Sequence, residues 1–130
     1  MIAVSANPLP PGRPMSNHEL ADGLCSVSSG LREVRRVHIE RYETLIPHIF
    51  MSEVLAHVGT LCNVAADEEQ IREVAAILAM LEQGMAFGSR ETRSVISLSF
   101  VSDGQLEMFY AAMAPAFGPR LKREAIGRQH

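Results

Sequence analysis

DEEQIREVAAILAMLEQG, residues 67–84, is the stretch that decides the fold. Its apolar side chains and the next methionine recur every three or four residues and so line one stripe of a helix: Ile71, Val74, Leu78, Leu81 and Met85. Asp67 can cap the first turn, the two glutamates after it suit the positive end of the helix, and Gly84 can end it in the left-handed conformation. The start, body and end of the segment all predict an amphipathic helix.

Residues 45–62 form the second predicted helix. Their apolar side chains again recur at intervals of three or four: Ile46, Phe50, Val54, Val58 and Leu61. Pro47 falls in the first turn, where the amide hydrogen that proline lacks would have no intrahelical acceptor. Upstream, leucine and valine spacing predicts two shorter helical stretches within residues 16–42, with a break at SVSSG, residues 26–30.

The segment VISLSFV, residues 95–101, fits two periods. Ile96, Leu98 and Phe100 alternate with Ser97 and Ser99 as in a strand. After a capping Ser89, however, one helical face that tolerates small hydroxyls is also formed, by Thr92, Val95, Ile96, Ser99 and Phe100. We favour the helix, because no second alternating run offers the partner that a strand needs.

Two short helices complete the predicted fold. One is capped by Asp103, and the other begins at Gly118 and Pro119. The inward-facing residues of the last helix are predicted to be Leu121, Ala125 and Ile126. Residues 1–14 are proline-rich and predict a disordered leader, which leaves residues 15–130 as a single helical domain. The sequence thus predicts an all-α, compact single-domain helical bundle of about five to seven helices.

The chain of 130 residues carries a net charge of −3 that is unevenly distributed. Residues 67–91 hold six acidic and two basic side chains, whereas residues 92–130 hold three and five. No apolar run approaches the roughly 18 residues needed to cross a bilayer, and there is no secretory signal. We therefore predict a cytoplasmic protein with no membrane partner, in which Cys25 and Cys62 are free thiols.

The side chains that a metal or acid–base site would use are His38, His48, His57 and Glu53, which lies four residues before His57. No HExxH or CxxC spacing accompanies them, and SVSSG is not a GxSxG nucleophile motif. We therefore predict that His57 is a partly exposed helix residue and that His48 is hydrogen-bonded locally. We also predict that the protein is not an enzyme and binds no metal or other cofactor.

Residues 32–41 hold four arginines interleaved with Glu33 and Glu40. Interleaved acids weaken phosphate binding, so the pattern is typical of a solvated, salt-bridged helix face. We predict no nucleic-acid partner.

Three segments together resemble an uncharacterised family of small bacterial helical domains. They are LIPHIFM at 45–51, LEQGMAFGSRETRSVISLSFV at 81–101 and FGPRLKRE at 117–124. The positions that match the family's pattern are Pro47, His48, Phe50 and Met51 in the first segment and Ile96, Ser99 and Phe100 in the second. In the third, Phe117 stands where the family has leucine. The resemblance covers about residues 42–124.

Such domains resemble immunity proteins of bacterial toxin systems, such as those of contact-dependent growth inhibition. The resemblance implies that the partner is a cognate toxin domain, which the protein neutralises by occluding its active site. If the toxin is a nuclease, its cleft is basic, and the candidate partner-binding residues are Asp67, Glu68, Glu69, Glu73 and Glu82.

The alternative is that these acidic side chains only hydrate their helix. The protein is then a helical adaptor or a self-associating structural protein without catalytic activity. Its apolar contact surface would consist of Met80, Met85, Phe87 and Met113.

Overall fold

The computed structural model describes residues 13–63, 67–101 and 116–128. These residues form six α-helices and one π-helical segment, and they include no strand. In chain order the elements are α1 Asn17–Val27, α2 Ser29–Tyr42, α3 Pro47–Asn63, α4 Glu68–Phe87, α5 Arg90–Ile96, the π-helical segment Ser97–Val101 and α6 Pro119–Arg128. The predicted all-α fold is confirmed.

Side-chain caps explain where several helices begin. The Ser16 hydroxyl accepts the Glu19 N–H, and the Glu19 carboxylate accepts the Ser16 N–H. Asp67 and Gln70 form the same reciprocal box at the start of α4, and Ser89 caps α5. Each cap satisfies amide groups that a helix start leaves unbonded and contributes about 1 kcal/mol. The predicted capping roles of Asp67 and Ser89 are confirmed.

Helix α4 packs against four other helices, namely α1, α3, α5 and α6. The buried residues on α4 are Val74, Ile77, Leu78, Leu81 and Gly84. The predicted face of α3 is also buried, from Phe50 to Leu61. Because complete burial of one such side chain contributes about 1.5–3 kcal/mol, this shared core is the main source of the fold's stability.

Gly84 does not end α4, contrary to the prediction. The helix continues to Phe87 and ends at Gly88, whose φ of −76° is not left-handed. A Cβ atom on Gly84 would lie 2.7 Å from Cδ1 of Ile96. The glycine is therefore needed inside the helix, where it lets α4 and α5 approach closely.

Two isoleucines predicted to face inward are exposed instead. Ile71 is 57% exposed near the start of α4, and Ile126 is 45% exposed on α6. The buried side of α6 follows Leu121 and Ala125, and Ile126 is turned about 100° from Ala125.

Residues 95–101 are helical, as predicted, but the helical period changes within them. Helix α5 ends at Ile96, and the π-helical segment follows directly. Ser97 and Ser99 are buried there, whereas Leu98 is 53% exposed. The two serines and the leucine thus occupy the reverse of the positions that hydropathy alone would favour. Such π turns are rare and occur frequently at functional sites.

Met15 fastens the start of the described chain to the α4–α5 junction. Its N–H donates to the Phe87 carbonyl at 2.8 Å, and its own carbonyl accepts the Ser89 N–H at 2.9 Å. The predicted leader, except for its last two residues, and the helix predicted at Asp103 lie outside the described residues. None of the described helices combines the length and apolar character that crossing a membrane requires.

Candidate partner-binding surfaces

Three of the five predicted partner-binding residues form one exposed cluster, which we term the acidic end: Asp67, Glu68 and Glu69. Asp67 accepts the Gln70 N–H at 2.8 Å and so is held by its own helix. The Glu68 side chain is 90% exposed and lies 4.0 Å from Arg72. Exposed pairs of this kind contribute little, so the acidic end presents its negative charge to solvent.

Glu73, the fourth predicted residue, lies inside a polar cluster that joins three parts of the bundle. Its carboxylate accepts the Ser28 hydroxyl at 2.5 Å and lies 3.1 Å from Nε2 of His57. Burial opposes ionisation, but the hydrogen bonds from Ser28 and His57 and the interaction with His57 lower the pKa of Glu73. Ser28 also caps α2 by accepting the Leu31 N–H.

Glu82, the fifth predicted residue, caps the last helix. Its carboxylate accepts the N–H groups of Arg120 and Leu121 at 3.0 Å, and the Arg120 guanidinium lies 3.3 Å away. Gly118 is packed against it, since an added Cβ would lie 2.6 Å from Cδ of Glu82. Glu73 and Glu82 are therefore engaged within the protein, and of the five predicted residues those of the acidic end alone remain exposed.

His38 is a buried residue whose two ring nitrogens both have partners. Nε2 accepts the Ile46 N–H at 3.0 Å, so the ring hydrogen is on Nδ1, which donates to Glu53 at 2.9 Å. The ring also contacts Tyr42 and Phe50, with centroids 4.9 and 5.6 Å away. His38 thus joins α2 to α3. Glu53 is bonded to His38 and not to His57, which lies one turn further along α3.

His48 was predicted to bond locally, which is wrong. Its Nδ1 lies 2.6 Å from Oγ of Ser99, which is 51 residues away in the sequence. The π-helical segment packs against α3, and this packing brings the two side chains together. His57 is half-buried, consistent with the prediction of a partly exposed residue, and bonds to Glu73.

A metal-binding cluster and a reactive thiol are two other kinds of site that these side chains could form. Within the described ranges, no three histidine, cysteine or acidic side chains are arranged to hold a metal ion. Cys25 and Cys62 are free thiols, as predicted, and burial raises the pKa of both. A raised pKa lowers the fraction of reactive thiolate, so neither thiol is activated.

The structure also contains a groove that the sequence did not predict, which we term the arginine groove. It encloses about 340 Å³. It is lined by Met85 of α4, by Arg90, Arg93 and Ser94 of α5, by Ser97 and Leu98 of the π-helical segment, and by Glu124 of α6.

Among the described lining residues of the arginine groove, the charges are unbalanced. Arg90 and Arg93 are exposed, and neither guanidinium is hydrogen-bonded or ion-paired within the described residues. Glu124 is the acidic side chain of the lining, and it accepts the Ser97 hydroxyl at 2.5 Å. Met85 is half-buried, and Leu98 presents an apolar surface beside the two guanidiniums.

The apolar surface of the alternative prediction does not form one patch in the described part. Met80 is half-buried and packs against Gly23, where an added Cβ would lie 2.7 Å from Sδ of Met80. Met85 is half-buried too, and only Phe87, at 58%, is well exposed among the three described members. Met113 lies outside the described residues.

No protein-family model, curated protein or solved structure matches the chain. The resemblance to the bacterial helical family therefore stays a prediction that rests on the three segments. The structure places most of the matching positions in the core, including Phe50, Ile96 and Phe100. Two others, His48 and Ser99, are hydrogen-bonded to each other. The matching residues thus maintain the fold and do not themselves indicate a partner.

Proposed function

We propose that the protein is an immunity protein that binds a cognate bacterial toxin and blocks its active site. The acidic end is the observation that carries this proposal. Asp67, Glu68 and Glu69 present three adjacent carboxylates at one end of α4, which is anchored in the core further along. A rigid display of charge keeps the entropy cost of binding low.

A basic cleft is the surface that the acidic end fits best. A nuclease must attract the anionic backbone of its substrate, and three carboxylates provide a comparable charge in a compact area. Ile71 lies within one turn of Glu68 and is 57% exposed. It supplies an apolar side chain that binding would desolvate, next to the charges that steer the encounter.

The other predicted functional groups support binding over catalysis as the role. The imidazoles of His38, His48 and His57 each bond to a side chain of another part of the fold. Their positions are explained by the packing of α2, α3, α4 and the π-helical segment.

The test is a charge reversal at the acidic end. The protein is co-expressed with the toxin domain encoded beside its gene, and the dissociation constant and the rescue of growth are measured. We expect Glu68→Lys/Glu69→Lys to weaken the complex by about 100-fold, since burying mismatched charges costs several kcal/mol.

The matched control is Glu43→Lys/Glu91→Lys, which changes two exposed glutamates elsewhere and gives the same net charge. It should bind like the wild type. Absence of any complex with the neighbouring toxin would sink the proposal. Equal weakening by the two double variants would show that total charge, and not the acidic end, matters.

A further inference from the structure

The arginine groove combines two unusual features of this chain. The π-helical segment buries Ser97 and Ser99 and exposes Leu98, against the hydropathy of all three. Exposing the leucine forgoes the stabilisation that its burial would give. The exposed Leu98 gives the groove an apolar wall beside its two guanidiniums.

The two guanidiniums of the groove differ from most other arginines of the protein. Arg13, Arg35, Arg36, Arg72 and Arg120 each lie within 4.0 Å of a carboxylate. Arg90 and Arg93, three residues apart on α5, face the same cavity without one in the described part. Their natural complement is a pair of neighbouring carboxylates.

The same chain carries that complement. At the acidic end, Glu68 and Glu69 are exposed, and the next apolar residue, Ile71, is 57% exposed. The groove thus offers two cations beside an exposed leucine, and the acidic end offers two anions beside an exposed isoleucine. The groove and the acidic end therefore carry opposite charges, and each has an exposed aliphatic side chain beside its charges.

These two surfaces cannot meet within one molecule. The acidic end begins α4, and Met85, in the groove lining, lies in its last turn. The 18 residues between Asp67 and Met85 in the helix separate them by about 27 Å. Any contact between the surfaces must therefore join two copies.

We propose that the arginine groove binds the acidic end of a second copy of this chain. The contact is head-to-tail, so each copy keeps one free groove or one free acidic end and association can continue. Because the groove is small, the contact is weak and depends strongly on salt. Glu124 in the groove wall disfavours a polyanion such as nucleic acid, which repeats negative charge along its length.

The test is sedimentation velocity on the full chain over a range of concentrations at low salt. We expect the wild type to form oligomers whose average mass rises with concentration and falls when salt is added. Arg90→Glu/Arg93→Glu reverses the groove charges, and Glu68→Lys/Glu69→Lys reverses those of the acidic end. Each variant alone should be monomeric.

Mixing the two variants makes the test specific. The first variant keeps its acidic end and the second keeps its groove, and the reversed end of the second also complements the reversed groove of the first, so an equimolar mixture should again form oligomers. The chain carrying all four substitutions should associate again. A monomeric wild type, a monomeric mixture or undiminished association of either single-surface variant would overturn the proposal. Circular dichroism of each variant checks that these exposed substitutions leave the fold intact.

The groove and toxin experiments can be separated. Arg90→Glu/Arg93→Glu leaves the acidic end unchanged, so it should still neutralise the toxin. A monomeric wild type would leave the proposed immunity function standing, and the absence of toxin binding would leave the self-association standing.

Discussion

Around His38, each ring nitrogen has a partner inside the protein, whereas in the arginine groove two guanidiniums have none among the described residues. The first region joins α2 to α3 and packs His38 against the buried Phe50. The second exposes Leu98 and buries Ser97. Polar groups therefore serve stability in one region and remain available for binding in the other.

The largest expected loss of stability comes from a substitution in the region around His38. His38→Ala should lower the free energy of unfolding by about 3 kcal/mol, because it leaves a cavity and removes the partners of the Ile46 N–H and Glu53. Urea denaturation measures the loss. His48→Ala is the control: its ring is exposed and makes one bond, to Ser99, so it should cost about 1 kcal/mol. If both variants lost the same free energy of unfolding, the buried His38 would contribute no more to stability than the exposed His48, and the prediction would be wrong.

A smaller effect is expected from the Ser28–Glu73–His57 cluster when the pH is lowered. The pKa of Glu73 is lowered in the folded protein, so its contribution to stability is present above the ordinary glutamate value of 4.5. That contribution is lost as the pH falls below 4.5 and through the lowered pKa of the folded state. The difference in unfolding free energy between wild type and Glu73→Gln should therefore shrink between neutral pH and pH 3. A difference independent of pH would refute this role.

The smallest effect is expected in the groove. Leu98→Ser removes an exposed side chain and should change the unfolding free energy by less than about 0.5 kcal/mol. Ser99→Leu, one residue away, places a large side chain at a buried position and should cost about 1–3 kcal/mol. If Leu98→Ser lowered the unfolding free energy as much as Ser99→Leu does, Leu98 would be part of the core.

The sequence predicted the helices best where the signals are local. Asp67 and Ser89 were identified as caps because the capping bond spans three residues, and the α3 face followed from its spacing. The prediction that α4 ends at Gly84 was wrong, because the role of this glycine depends on the approach of Ile96 from another helix. A local glycine rule cannot detect such an approach.

The candidate surfaces were predicted less completely for the same reason. The acidic end follows from composition and helix position, but the internal roles of Glu73 and Glu82 depend on partners such as His57 and Arg120, at least 16 residues away. The arginine groove lies at the π-helical segment, where Ser97 and Val101 are buried. A constant period of 3.6 residues places both of these outside the face of Thr92, Val95 and Ile96, so the sequence pattern did not predict how this segment packs.

The backbone bridge at Met15 has a practical consequence for how ligands are presented to this protein. Met15 lies beside Ser89, one residue from Arg90. A short acidic peptide fused through a flexible linker at that point would be tethered close to the groove, at an effective concentration of roughly millimolar. Such a fusion would turn a weak encounter between molecules into an intramolecular one, and its release by added salt would report on occupancy of the groove.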